Sequence, residues 1–200
     1  MNVGLAIHRN AVRNPRSPAI FGNAQMNYLQ LDERSNQIAH YLLSKGLTKG
    51  DRVALFVANC PEVIEIMGGI AKSGLVYIGL NFRLGQIELE QIFENSSPSL
   101  LITDKEHLDE VQIMATELDV PLDILDSDSW ELAISEMPTE TPSTLHQIQH
   151  DDDFCIVYTS GTTGRPKGVL FDHSRVMQHA TVACMEYEID SGTRYLIQIP

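Results

Sequence analysis

The stretch Thr159-Ser160-Gly161-Thr162-Thr163-Gly164-Arg165-Pro166-Lys167-Gly168 gathers four Ser and Thr hydroxyls, three glycines and a lysine within ten residues. Building a core does not call for that mixture, and handling phosphate does. Glycines let backbone N–H groups approach an anion closely, hydroxyls add donors, and the Lys167 ammonium supplies a point charge for a polyphosphate. A Walker A loop is the obvious rival. It needs its lysine directly after the last glycine and a Ser or Thr directly after the lysine, whereas here Pro166 precedes Lys167 and Gly168 follows it. The other rival is a polar hairpin turn with no ligand, but such turns commonly run about 2–5 residues and need fewer glycines.

The loop must be carried by something rigid. Residues 154–158 before it and 169–171 after it are apolar runs that read as strands. Asp172 is placed to cap a helix running to about residue 186. Upstream, apolar residues at 5, 7, 11 and 12 predict a short helix ended by Asn14-Pro15, and Gly22-Asn23 signals a hairpin between residues 19–21 and 25–28. Leu31, Ile38, Ala39, Tyr41 and Leu42 form a helical stripe over about 29–45, closed by Gly46. A strand at 52–57, a helix from Pro61 to about Lys72 with Gly74 beyond it, and a strand at 75–78 follow. A helix near 86–94, a strand at 100–102, a helix over about 105–118 and a strand near 122–125 continue the alternation. Units of this kind predict an α/β fold, a mainly parallel sheet flanked by helices.

With 43% apolar residues among 200, the chain can bury a substantial core. Its net charge of −13, from 27 acidic and 14 basic residues, argues against nucleic acid or an anionic membrane as the main partner. Cys60, Cys155 and Cys184 stand far apart with no C-x-x-C pair, so reduced thiols and a cytoplasmic location are expected. The start of the chain lacks the zones of a signal peptide, and the most apolar run, 68–80, is interrupted by Lys72 and too short to span a membrane.

Residues 158–169 resemble the signature loop of the AMP-forming adenylating superfamily, which includes acyl-CoA synthetases, peptide-synthetase adenylation domains and firefly-type luciferases. Met26-Asn27-Tyr28-Leu29-Gln30-Leu31 with Ser35-Asn36, then Lys49-Gly50-Asp51-Arg52-Val53-Ala54, and Lys72-Ser73-Gly74-Leu75-Val76-Tyr77 are similar to further motifs of that superfamily. Asn81-Phe82-Arg83-Leu84 looks like the acyl-CoA synthetase version, since peptide-synthetase domains usually carry an aspartate where Asn81 stands; Gly79 departs from a proline common there. The resemblance implies the N-terminal part of the large domain of an adenylate-forming enzyme. Its substrates would be a carboxylic acid, ATP with Mg2+, and coenzyme A, giving first an acyl-adenylate and then a thioester. Thr159, Ser160, Gly161, Thr162, Thr163, Gly164 and Lys167 would hold the β- and γ-phosphates, with Lys167 the catalytic charge and Thr162 on the phosphate-bound Mg2+. A luciferase-like or peptide-synthetase-type enzyme and a non-catalytic nucleotide-binding remnant are the alternatives. Peripheral membrane contact and a homodimer are compatible with the same reading.

Such enzymes are typically more than twice as long, so residues 1–137 are expected to form an N-terminal α/β subdomain and 138–150 a linker. Residues 151–200 are expected to begin a further subdomain. The chain by itself is expected to catalyse nothing, to bind MgATP weakly, and to expose apolar faces near residues 53–57 and 154–158. Several other polar residues have plain structural readings. Lys72 reads as a snorkelling helix-end lysine, and Asn81 and Arg83 as a polar turn. Asp123, Asp126 and Asp128 read as a solvated surface beside a half-buried Trp130, because no Gly or terminal Glu completes an EF-hand pattern. His146 and His150 with Asp151, Asp152 and Asp153 read as a solvated strand entrance ahead of a metal site. His173 is either a packed helix-start histidine or the superfamily's Thr-His histidine, with Asp172 in place of the threonine.

Overall fold

The computed structural model describes residues 1–21, 25–159, 165–190 and 192–195. Helix α1 (Val3–Arg13) is started by the Asn2 side chain, which accepts the Leu5 N–H, and ends at Asn14, ahead of Pro15. Strands β1 (Pro18–Ile20) and β2 (Met26–Asn27) pair antiparallel; the Gly22-Asn23 turn between them lies outside the described residues. Helix α2 (Tyr28–Ser44) opens with a reciprocal capping box between Asn27 and Gln30, which satisfies two N–H groups at once.

The rest of the described chain winds one sheet. Strand β3 (Arg52–Phe56), helix α3 (Pro61–Ser73), β4 (Val76–Gly79), α4 (Gln86–Ser96), β5 (Leu100–Thr103), α5 (Leu108–Glu117) and β6 (Leu122–Ile124) alternate as the apolar periodicity predicts. Helix α6 (Asp128–Ser135) and a 3-10 turn (Ser143–His146) follow, then strands β7 (Asp153–Thr159) and β8 (Lys167–Asp172) and helix α7 (His173–Glu186). The order across the described sheet is β6-β5-β3-β4-β7-β8, parallel throughout except for the antiparallel β7–β8 hairpin.

Alternate residues of β3 point to opposite faces, and the two halves of the core follow from this. Val53 and Leu55 pack with Ile38, Leu42, Ile66 and Ile70 beneath α2 and α3. Ala54 and Phe56 pack with Leu89, Phe93, Val111 and Met114 beneath α4 and α5. Gly74, at the left-handed position that ends α3 (φ 78°), turns the chain directly into β4.

Four expectations change. Trp130 is only 4% exposed, because α6 turns it and Ile134 into the core against the Tyr41 ring; it is not half-buried. Asp123 is partly buried, accepting from the Tyr41 hydroxyl and pairing with Lys45 at 2.8 Å, whereas Asp126, which accepts the Lys105 N–H, and Asp128 are exposed as expected. Lys72 does not snorkel; its side chain is fully buried, for reasons given below. Residues 53–57 are not an uncovered face, since β3 lies in the interior of the sheet with Val53 and Phe56 fully buried.

The segment 138–150 is strapped down on its way to β7. The Asn36 side chain donates to the Thr139 carbonyl at 2.7 Å, the Thr144 hydroxyl donates to the Lys72 carbonyl, and Leu145 is buried. His146 and His150 are exposed. Among the described residues no cluster of His, Cys, Asp or Glu is arranged to hold a metal ion.

Candidate functional site

The β7–β8 hairpin carries the hydroxyl- and glycine-rich loop. Its ladder runs from Asp153↔Asp172 to Thr159↔Lys167, so the last paired residues on each side are themselves members of the candidate set. The Thr159 hydroxyl reaches the Lys167 carbonyl at 3.5 Å, and both residues are exposed. Ser160, Gly161, Thr162, Thr163 and Gly164 lie outside the described residues. The hairpin thus brings Thr159 and Lys167 together at the mouth of the loop. An exposed ammonium and hydroxyl there suit a phosphate group, while Thr162, the Mg2+ candidate, is not among the described residues.

Two features explain the hairpin's local shape. Gly168 stands opposite Tyr158, and a Cβ there would come within 3.0 Å of the Tyr158 ring and 2.9 Å of Ile156 Cγ2, so the small residue lets the ring lie across the strand. The Tyr158 hydroxyl in turn donates to Asn95 Oδ1 of α4 at 2.6 Å. Because β7 runs parallel to β4, Thr159 lies at the carboxyl end of the parallel strands, where open α/β sheets bind ligands.

The same edge carries two more polar groups. After β4, Asn81 Oδ1 accepts the Arg83 N–H in a tight turn, and Phe82 packs on the His107 ring. After β5, Asp104 accepts from the His107 N–H and ring and from the Ala58 N–H. Burial pushes the Asp104 carboxyl up, but those hydrogen bonds outweigh it and hold the group below its ordinary range. Sequence reasoning missed this Asp-x-x-His pair. The signal is its position just past a strand, hidden because the apolar pattern extends the helix over about 105–118 while α5 begins at Leu108.

At the opposite end of the hairpin His173 is wholly buried. Its Nδ1 accepts the Val3 N–H at 3.3 Å and its ring stacks on Phe154 at 4.8 Å. Burial lowers its pKa to about 4, so it is neutral at physiological pH. The structure therefore shows the packed helix-start histidine, at the start of α7, which Asp172 caps by accepting the Arg175 N–H. Lys72 is likewise fully buried. Its ammonium donates to Asp32 Oδ1, to the Asp32 carbonyl at 2.9 Å and to Asn36 Oδ1 at 2.7 Å. Desolvation lowers its pKa and the Asp32 carboxylate opposes that. This is a cross-brace between α2 and α3, remote in chain terms from the loop.

Residues 7–200 match the family described as AMP-binding enzyme. A medium/long-chain-fatty-acid–CoA/3-oxocholest-4-en-26-oate–CoA ligase of Mycobacterium marinum (strain ATCC BAA-535 / M) is 33% identical over 186 residues, 86% of this chain and 34% of the relative. A feruloyl-CoA synthase of Amycolatopsis sp is 33% identical over 196 residues, 96% of this chain and 38% of the relative. Among solved structures, a Mycobacterium tuberculosis fatty acyl CoA synthetase superposes with a TM-score of 0.79 at 28% identity, covering 88% of this chain and 35% of that one. The chain thus spans about a third of the length of the curated relatives it matches. With 194 consecutive residues, 7–200, inside the family match and the parallel sheet and loop-bearing hairpin in place, this chain belongs to the AMP-binding enzyme family.

Proposed function

We propose that the complete protein carrying this chain is an acyl-CoA synthetase that activates a carboxylic acid, in our reading a fatty acid, with ATP. The carboxylate oxygen attacks the α-phosphorus, the bond to the bridging oxygen of pyrophosphate breaks, and the acyl-adenylate then passes its acyl group to the thiol of coenzyme A, releasing AMP. The observation that carries this reading is the loop-bearing hairpin, with Thr159 and Lys167 paired at its mouth on the carboxyl edge of a parallel sheet. The relatives named above, a fatty-acid–CoA/3-oxocholest-4-en-26-oate–CoA ligase and a feruloyl-CoA synthase, support it.

Within this chain, Lys167 and the hydroxyls of Thr159, Ser160, Thr162 and Thr163 act by placing donors and charge where the leaving pyrophosphate gathers negative charge. Glycines 161 and 164 allow close approach of the backbone. When bound through the phosphates near Thr162, Mg2+ would neutralise part of that charge. Small-molecule acid, ATP and CoA are the partners in this reading. Three free cysteines suit a reducing cytoplasm, and no described helix is long and apolar enough to cross a membrane. We also read 151–200 as the opening of a further subdomain after the connecting segment 138–150. Support comes from Val157 and Val169, paired in the ladder yet each more than two-fifths exposed.

The test is ATP–pyrophosphate exchange by the full-length protein against fatty and aryl acids. Exchange should require an acid. Lys167→Ala should slow it by about 2–4 kcal/mol of transition-state stabilisation, with the KM for the acid unchanged. Pyrophosphate release that proceeds equally without acid, or a Lys167→Ala variant as fast as wild type, defeats the proposal.

A further inference from the structure

We propose that Tyr158 is a positioning residue that fixes the base of the phosphate loop, acting with Asn95 as a latch between the hairpin and α4. The idea rests on the function proposed above, and it concerns a side chain next to the loop that is not one of the phosphate donors. Three observations converge on it. Tyr158 immediately precedes Thr159, and its partner across the ladder, Gly168, immediately follows Lys167. Its ring fills the space over Gly168, where any Cβ would meet Tyr158 Cζ at 3.0 Å. Its hydroxyl donates to Asn95 Oδ1 at 2.6 Å, so the ring cannot swing away without losing a hydrogen bond.

The anchor at the far side is itself held. Asn95 sits in the last turn of α4, and that helix end is tied to the start of β3 by Arg52, whose guanidinium donates to the carbonyl of Ser96 at 2.9 Å and to that of Ser97. Leu89, Ile92 and Phe93 of the same helix are buried in the core half against which Tyr158 packs. A rigid helix thus grips the hairpin one residue before the loop leaves it. Among the described residues Thr159 and Lys167 show no comparable side-chain grip: both are exposed, and their mutual side-chain contact is a long 3.5 Å. Residues held in register before a ligand arrives lose less conformational freedom on binding it. Fixing Thr159 and Lys167 in this way means that the latch should tighten ATP binding while leaving the acid site alone.

The experiment uses the full-length protein, with Tyr158→Phe, which keeps the ring and removes the hydroxyl, Asn95→Ala, the double variant, and Asn95→Asp, which keeps an acceptor oxygen. Two readouts are taken: the rate of trypsin cleavage after Lys167 without ligand, and the KM for ATP and for the acid in the exchange assay. Arg165 is no competing site, since the bond it forms to Pro166 resists trypsin. Tyr158→Phe and Asn95→Ala should each raise the cleavage rate and the ATP KM about 3- to 10-fold, the range of one lost hydrogen bond. The double variant should be no worse than either single one, Asn95→Asp should stay near wild type, and the acid KM and the melting temperature should hold. Tyr158→Phe equal to wild type in both readouts overturns the latch. So does a parallel rise in acid KM with a fall in melting temperature, or an Asn95→Asp variant as impaired as Asn95→Ala. If the wild-type protein exchanges no pyrophosphate, the proposed function falls, and the cleavage rates alone decide the latch: unchanged rates overturn it, and raised rates support it.

Discussion

At the scale of single residues, two fully buried titratable groups, Lys72 and His173, make opposite demands. Lys72 keeps its charge in the core by placing its ammonium among three oxygens, so removing one partner strands the others. Lys72→Met is expected to destabilise the protein by about 3–5 kcal/mol, and pairing it with Asp32→Leu should recover part of the loss, as measured by urea unfolding. His173 survives burial by staying neutral. Its pKa is about 4 when folded against about 6.5 when unfolded, so the native state binds fewer protons as pH falls through that window. Stability is therefore full above about pH 6.5 and declines toward pH 4, by about 3 kcal/mol if His173 acts alone. Carboxylates held low, such as Asp104 and Asp152, add their own losses at still lower pH. A His173→Gln variant should be flatter than wild type between pH 6.5 and 4 in urea unfolding. Parallel curves would mean that the imidazole is not the group being titrated.

At the scale of elements, most helices and strands of the sheet were legible because their apolar periods are long and some stop signals sharp, as where Gly74 ends α3; helix starts were less so, since Asn27 reads as part of a strand yet caps α2. Helix α6 was not legible. It has eight residues, of which only Trp130 and Ile134 are buried, and two points one turn apart do not make a period among so many acids. Nor did the sequence reveal why Gly68 and Gly69 sit side by side in α3. They are where α2 crosses: a Cβ on Gly68 would come within 2.2 Å of Ser35 Oγ, and one on Gly69 within 2.5 Å of Ile38 Cγ2 and 3.1 Å of the Ala39 backbone nitrogen. Alanine is the better helix former by up to about 1 kcal/mol, yet overpacking typically costs about 1–3 kcal/mol, and backbone cannot move aside as a side chain can. Gly69→Ala is thus expected to destabilise the fold by about 1–2 kcal/mol in chemical denaturation. A stabilised variant would show that the helices can slide apart at no cost.

At the scale of the whole molecule, strand order is the property the sequence conceals most. Buried parallel strands are all continuous apolar runs, so nothing in Val53-Ala54-Leu55-Phe56 marks it as interior, and nothing in residues 154–158 marks that strand as neighbour to the edge. The loop-bearing hairpin ends the described sheet, and the chemistry of its loop was readable where its neighbours were not. Its apolar side chains are correspondingly uncovered: Val157, Val169 and Leu170 on the hairpin and Val182 and Met185 on α7 are exposed. Exposed apolar side chains at the edge of the described sheet favour association, while a net charge of −13 opposes it. Which tendency prevails depends on screening, because the Debye length shrinks from about 30 Å at 0.01 M salt to about 3 Å at 1 M. Residues 1–200 by themselves should therefore sediment as monomers in low salt and associate increasingly as salt is raised. Val169→Lys, which adds a charge to the edge strand, should suppress that association without lowering the unfolding midpoint, since Val169 is already 44% exposed. Association that is unaffected by Val169→Lys would place the contact elsewhere on the surface, and association that weakens as salt rises would mean that charge, not apolar surface, draws the molecules together.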